Sequence, residues 1–174
     1  MGTRDDSGAG AEATLREHGS GQKLFGRYTL IKILGRGGMG IVWLARDEEL
    51  EREVALKFLP DLMVADPAAL DDLKRETRRS LELTHPHIIR IHDFVHDERS
   101  ACISMEYVDG ETLSHVITSR RMRLDEVLEV AVQVASGLSA AHQLGIVHRD
   151  IKPDNFLIGR PGTKGANSTT GCFF

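Results

Sequence analysis

Between Tyr28 and Leu59 the chain runs in three short apolar bursts separated by turn-forming residues. Tyr28 to Leu34 is dense in aliphatic and β-branched side chains, Ile41 to Ala45 resumes that texture after a glycine-rich break, and Val54 to Leu59 follows the acidic stretch Asp47 to Glu51. Runs of this length and composition predict strands. The period then changes. Asp66-Pro67 has the form of a helix start, and Leu70, Leu73, Glu76, Ser80 and Leu83 recur on one helical face up to His85-Pro86. Ile88 to Val95 and Ala101 to Glu106 predict a strand pair around the polar turn His96 to Ser100, followed by a turn at Asp109-Gly110 and a short helix near Leu113 to Ile117. Asp125 to Gln143 carries a long helical pattern in Val127, Ala131, Val134, Leu138 and Ala141, with Gly145 placed as its C-terminal cap. A last apolar run, Phe156 to Ile158, stands alone. A strand-rich first half and a helical second half predict an α+β fold.

The two ends lack this patterning. Met1 to Gln22 is rich in Gly, Ala, Asp and Ser, with Leu15 its one large aliphatic residue. Such a stretch buries too little apolar surface to offset its ordering entropy, so residues 1–26 are expected to form a disordered leader. From Gly159 onward the chain turns Gly-, Thr- and Asn-rich, and residues 159–174 are expected to be an unpatterned tail. A length of 174 residues suits about one domain. With 41% hydrophobic and 28% charged residues, a wholly disordered or collagen-like chain is excluded. The net charge of −4 does not point to nucleic acid or an anionic membrane as the partner. Cys102 and Cys172 lie too far apart to suggest a disulfide framework, and no apolar run approaches the ~20 residues that span a bilayer. Together these features point to the cytosol.

Gly35, Gly37 and Gly40 form G-x-G-x-x-G. Alone, that triplet is as readily a plain hairpin turn. A dinucleotide fold would need a helix next, yet Ile41-Val42-Trp43-Leu44 favours a strand. A P-loop would need Lys and Ser or Thr after the last glycine. What remains is strand, glycine turn, strand: a flap whose backbone can close over phosphates because no Cβ intervenes. Lys57 lies on the next strand among apolar neighbours, where it either snorkels to solvent or serves as a charged clamp. As a clamp it needs an orienting carboxylate, and Glu76 shares the helix face of Leu73 and Leu83. His85, His87, His92 and His96 have no accompanying cysteine and are read as packing residues rather than metal ligands.

His148-Arg149-Asp150-Ile151-Lys152-Pro153-Asp154-Asn155 matches H-R-D-x-x-x-x-N in full. With the glycine flap and Val54-Ala55-Leu56-Lys57, the chain resembles a eukaryotic-like protein kinase of the bacterial serine/threonine type. The resemblance implies a partial kinase domain over residues 27–158: a small lobe at 27–106, an antiparallel sheet plus one helix; a hinge at 107–110; and the first helices of the large lobe at 111–158. It further implies that Gly35, Gly37 and Gly40 cover the ATP phosphates while Leu34, Val42 and Ala55 line the adenine pocket. Lys57 would hold the α- and β-phosphates, paired with Glu76. Met105 would stand at the back of the pocket, and Glu106, Tyr107 and Val108 would form the hinge. Asp150 would accept the substrate hydroxyl proton, Lys152 would neutralise the transferred phosphoryl group, and Asn155 would hold Mg²⁺. The implied substrates are protein Ser and Thr hydroxyls.

The resemblance fades after Ile158. The family continues into a further strand and Asp-Phe-Gly, whose Asp binds Mg²⁺. Lys164 to Gly171 shows no strand pattern, and no aspartate follows Asp154. The expectation is a kinase domain broken off after its catalytic loop, as a shifted frame or a premature junction would produce. Such a fragment would be inactive in transfer. The alternative is a pseudokinase-like module that binds nucleotide or a partner without catalysis.

Overall fold

A computed structural model of the chain describes residues 18–37, 40–97, 100–160 and 170–172. The expected leader up to residue 17, the Gly38-Met39 tip of the glycine turn and positions 161–169 of the expected tail lie outside the described residues.

The three expected strands form as β2 (Tyr28–Gly37), β3 (Gly40–Asp47) and β4 (Arg52–Phe58). With β1 (Lys23–Leu24), β5 (Ile91–His96) and β6 (Ala101–Glu106) they make an antiparallel sheet in the order β1-β2-β3-β4-β6-β5. Because side chains alternate across a strand, the two faces carry different cores. Tyr28, Leu30, Trp43, Leu56, Phe58 and Cys102 pack on one face. Ala55, Ile103 and Met105 pack with Ile89 on the other.

Order begins earlier than the composition of the leader suggests. Lys23 and Leu24 pair with Thr29 and Tyr28, the Gly21 N–H donates to the Leu30 carbonyl at 2.7 Å, and the His18 ring lies 4.6 Å from that of Phe58. Backbone bonds to an otherwise open sheet edge hold this segment, with Leu24 and Phe25 adding apolar contact. β5 starts at Ile91 rather than Ile88. Ile88 is drawn instead into a separate cluster with Leu83, Ala141 and Ile146.

Helix α1 (Asp61–Val64) is a single turn that no sequence signal marks. Helix α2 (Pro67–Leu81) begins where expected, and the Asp66 carboxylate accepts the N–H groups of Ala68 and Ala69 at 3.0 and 3.3 Å. Its buried residues are Thr77 and Ser80. Of the expected face, Ser80 and Leu83 are buried and Leu70 and Leu73 half-buried, while Glu76 is exposed and Thr77 takes its place. α3 (Leu113–Ser119) and α4 (Leu124–Gln143) form where expected. α4 buries Gln133, Gly137 and Ala141, however, so of its expected apolar face Val127 and Ala131 stand exposed, together with Leu124, Leu128 and Val132. Among the described residues no helix is long and apolar enough to cross a membrane.

A second, three-stranded sheet runs β7 (Gly110–Thr112), β8 (Phe156–Gly159), β9 (Thr170–Cys172). β9 corrects the expectation of an unpatterned end. Thr170, Gly171 and Cys172 pair with Ile158, Leu157 and Phe156, so the strand runs toward the turn at Pro153–Asn155. β8 has β7 on one edge only, and its second edge is satisfied by a backbone ladder that needs no alternation of side chains.

Candidate active site

The strand registers set Val42 opposite Lys57, Lys57 opposite Ile103, and Ala55 opposite Met105. Opposed residues share a face, so Val42, Ala55, Lys57 and Met105 project to one side of the sheet. Val108, in the expected hinge, and Leu157, on β8, pack onto the same apolar cluster. Four expected pocket residues, Val42, Ala55, Met105 and Val108, therefore meet. Leu157 completes the cleft without having been singled out. Its signal was the isolated run Phe156 to Ile158, in which alternate residues face opposite ways.

Leu34 does not join them. It is 41% exposed, and register shifts between Leu30 and Lys32 and between Ile33 and Gly35 break the alternation of β2. Glu106 and Tyr107 stand at the strand exit, where the Glu106 N–H donates to the Arg90 carbonyl at 2.8 Å.

In the flap, Gly35 pairs with Val42 and Gly37 with Gly40. Gly40 has φ +121°, and a Cβ there would lie 2.0 Å from the Phe58 carbonyl oxygen, so no other residue fits. A Cβ on Gly35 or Gly37 would meet no atom within 4 Å, which leaves the flap backbone approachable.

Lys57 is half-buried in the cleft. Burial lowers its pKa, the Asp150 charge opposes that shift and the Lys152 charge adds to it. The expected Lys57–Glu76 pair is not made: among the described residues the two form no ion pair, and Glu76 is exposed on α2. Each residue turns the helix by about 100°, so Glu76 stands at the border of the face that Thr77 and Ser80 bury, on the side left exposed.

The residues expected to form the catalytic loop do come together. Arg149 adopts φ +62°, a left-handed kink that a bulky residue rarely takes. It redirects the chain so that the Asp150 N–H reaches Nδ1 of His148 at 3.2 Å. The Asp150 carboxylate accepts from Lys152 Nζ at 2.7 Å and from Asn155 Nδ2 at 2.9 Å. Those two bonds hold its pKa below the usual carboxylate value, Lys152 being the larger cause. Asn155 sits at the end of a single 3-10 turn, Pro153–Asn155. Its amide nitrogen is committed to Asp150, which leaves the amide oxygen Oδ1 as the outward acceptor.

A glycine flap over a half-buried lysine, facing an aspartate–lysine–asparagine loop across an apolar cleft, defines the kinase type of phosphotransferase. The chain belongs to the protein kinase family: the family profile described as "Protein kinase domain" matches residues 28–164. It is 40% identical over 143 residues to the serine/threonine-protein kinase PrkC of Bacillus subtilis strain 168, covering 82% of this chain and 22% of that protein. It is 38% identical over 148 residues to the serine/threonine-protein kinase PknA of Mycobacterium tuberculosis strain H37Rv, covering 82% of this chain and 34% of that protein. The crystal structure of the Mycobacterium tuberculosis PknI kinase domain superposes with a TM-score of 0.77 at 31% identity, covering 90% of this chain and 62% of that one. The chain thus spans about a fifth to a third of these curated relatives and under two thirds of that solved kinase domain.

Proposed function

We propose that these residues are the ATP-binding lobe and catalytic loop of a serine/threonine protein kinase. The observation that carries this reading is the convergence of Lys57 and Asp150 on one cleft, with Asn155 fixed by Asp150 beside it. Val42, Ala55, Met105, Val108 and Leu157 supply the flat apolar slot that an adenine ring fills, while the backbone of Glu106 to Val108 offers it hydrogen bonds. Leu34, at the root of the flap, would reach the ring only from the exposed side. Gly35, Gly37 and Gly40 let the backbone approach the phosphates, and the Lys57 ammonium grips them. Asp150 orients the protein Ser or Thr hydroxyl and accepts its proton. Lys152 neutralises charge that builds up in the transfer.

The donor set fits a hard divalent cation in part. Asn155 Oδ1 is an oxygen ligand held outward, and Mg²⁺ commonly takes one or two protein ligands beside phosphate oxygens. When bound, Mg²⁺ neutralises phosphate charge. Among the described residues no group of three His, Cys, Asp or Glu could hold a metal ion, and no aspartate follows Asp154. On this reading the residues described bind nucleotide through the cleft, and with Asn155 as the catalytic loop's metal ligand they are expected to transfer little or nothing. Labelled ATP, the chain and a generic basic protein provide the test. The expected result is no transfer above background; transfer that disappears in Asp150→Asn would overturn it.

A further inference from the structure

Ahead of β2 the chain makes two turns in succession, each closed by hydrogen bonds. In Gly19–Gln22 the Gln22 N–H donates to the Gly19 carbonyl and the Gly19 N–H donates to Gln22 Oε1, each at 3.1 Å. Gly21 is third of the four, with φ +80°, a position that favours glycine. Lys23 and Leu24 then pair with β2, and Leu24–Arg27 turns the chain back, the Arg27 N–H donating to the Leu24 carbonyl at 3.0 Å. Its two central residues, Phe25 and Gly26, have φ +53° and +67°, the signs that a tight two-residue hairpin turn needs. A phenylalanine is strained there, and such strain persists only where the surroundings fix it. Phe25 packs on the sheet core, and the Arg27 guanidinium forks onto the Asp47 carboxylate at 2.9 and 2.7 Å.

The first of these turns grips β2. The Leu30 N–H donates to the Gln22 carbonyl at 2.9 Å, and the Leu30 carbonyl accepts the Gly21 N–H at 2.7 Å. Ile31, the next residue, has no partner on β3, because the register jumps from Leu30 opposite Ala45 to Lys32 opposite Leu44. Such a bulged residue leaves the ladder and bends its strand. Ser20 Oγ donates to the Ile31 carbonyl at 2.7 Å. Beyond Ile31, among the described residues, the β2 backbone is bonded to β3 alone up to Gly35 and Gly37 of the flap. At the other root of the flap, a Cβ on Gly40 would strike the Phe58 carbonyl, and the His18 ring lies 4.6 Å from the Phe58 ring. Residues 18–22 thus touch the flap's root on β2 directly and its root on β3 through Phe58.

We infer that residues 18–22 are a clasp that holds the root of the glycine flap, with Ser20 a positioning residue that fixes the Ile31 bulge from which the flap extends. Ile31 is the pivot of that arm: it is where the outer edge of β2 is last anchored, and the bend there sets the direction of residues 32–37. The clasp can be read apart from the arm. Both backbone groups of Leu30 face the clasp rather than β3, so its amide reports the clasp, while the amides of residues 32–37 report the arm. The consequence for nucleotide rests on the function proposed above: a loose pivot lowers the fraction of chains whose flap is set to cover phosphates, and apparent affinity falls by that fraction.

The test compares the full chain with Ser20→Ala and Ser20→Thr. Amide hydrogen exchange is read first, without nucleotide. Ser20→Ala is expected to speed exchange at Leu30 and across residues 32–37 by about two- to tenfold, the range of one hydrogen bond, with Ile103 on β6 unchanged. Ser20→Thr keeps the hydroxyl and should keep the parent's rates. A fluorescent ATP analogue should then bind Ser20→Ala more weakly by a factor in the same range, and Ser20→Thr as the parent. Unchanged exchange across residues 32–37 in Ser20→Ala, or exchange in Ser20→Thr as fast as in Ser20→Ala, would overturn the clasp. So would equal affinity of the parent and Ser20→Ala for the analogue. Faster exchange in Ser20→Ala with no nucleotide binding by the parent chain would uphold the clasp and overturn the nucleotide reading instead.

Discussion

Asn155 donates one amide nitrogen both to the backbone carbonyl of Asp150, at 2.7 Å, and to its carboxylate, at 2.9 Å. The bond fixes which end of the amide faces outward, and with Lys152 it keeps the Asp150 carboxylate ionised. Asp150→Asn would remove the negative charge that Lys152 faces while leaving an amide oxygen and the backbone carbonyl for Asn155. On the proposed function it would also remove the acceptor of the substrate proton.

The Asp150 pKa should therefore rise toward the ordinary carboxylate value in Lys152→Met, and by less in Asn155→Ala, because Lys152 is the larger cause. A depressed carboxylate pKa favours the native state above the unfolded value of ~3.9. That contribution is lost as pH falls through the folded pKa. Carboxyl-carbon NMR titration of the three proteins checks the order; an unchanged pKa in Lys152→Met would contradict it.

Arg27→Ala is expected to cost about 3 kcal/mol of unfolding free energy in urea, the low end for breaking a buried pair. Asp47 is 1% exposed, and the N–H groups of Glu49 and Leu50 still hold it when the guanidinium is gone. Its pKa is lowered chiefly by the bond from Arg27. The native chain should thus lose stability as pH falls through that folded pKa, and Arg27→Ala should show a shallower loss.

Gly40→Ala should destabilise the small lobe by about 3 kcal/mol, since the new methyl would meet the Phe58 carbonyl and the backbone is left-handed there. Gly37→Ala, with open space around the added carbon, should cost under about 1 kcal/mol. Paired thermal melts separate the two.

Leu124, Leu128 and Val132 form an exposed stripe at i, i+4, i+8 along α4. Replacing Leu128 and Val132 by Glu and Lys should raise the concentration at which the chain stays monomeric in light scattering, with little change in its melting midpoint.

The elements were legible where period and caps agreed. Asp66-Pro67 announced α2, and the alternation through Val54 to Leu59 placed Ala55 and Lys57 on one face. The cluster of Asp150, Lys152 and Asn155 was legible because eight consecutive residues, 148–155, carry it. The edge of the α2 face was not: Leu73 and Ser80 turn inward as expected, but which of the neighbours Glu76 and Thr77 joins them depends on how the helix settles on β5. β1 and β9 were missed for a related reason. Both are held by backbone bonds to open sheet edges, which leave little trace in side-chain pattern. Leu157 was hidden inside a run read only as a strand.

The most direct test of the account is a titration of a fluorescent adenine nucleotide into the folded chain, with and without Mg²⁺, beside Lys57→Met and Glu76→Gln. The account predicts weak saturable binding that changes little with Mg²⁺, because Asn155 is the one metal ligand that its catalytic loop supplies. Lys57→Met should weaken binding by about tenfold, the loss of a charge-assisted contact. Glu76→Gln should leave it unchanged, because Glu76 is exposed and unpaired with Lys57. No saturable binding by demonstrably folded protein, or a loss in Glu76→Gln equal to that in Lys57→Met, would contradict it.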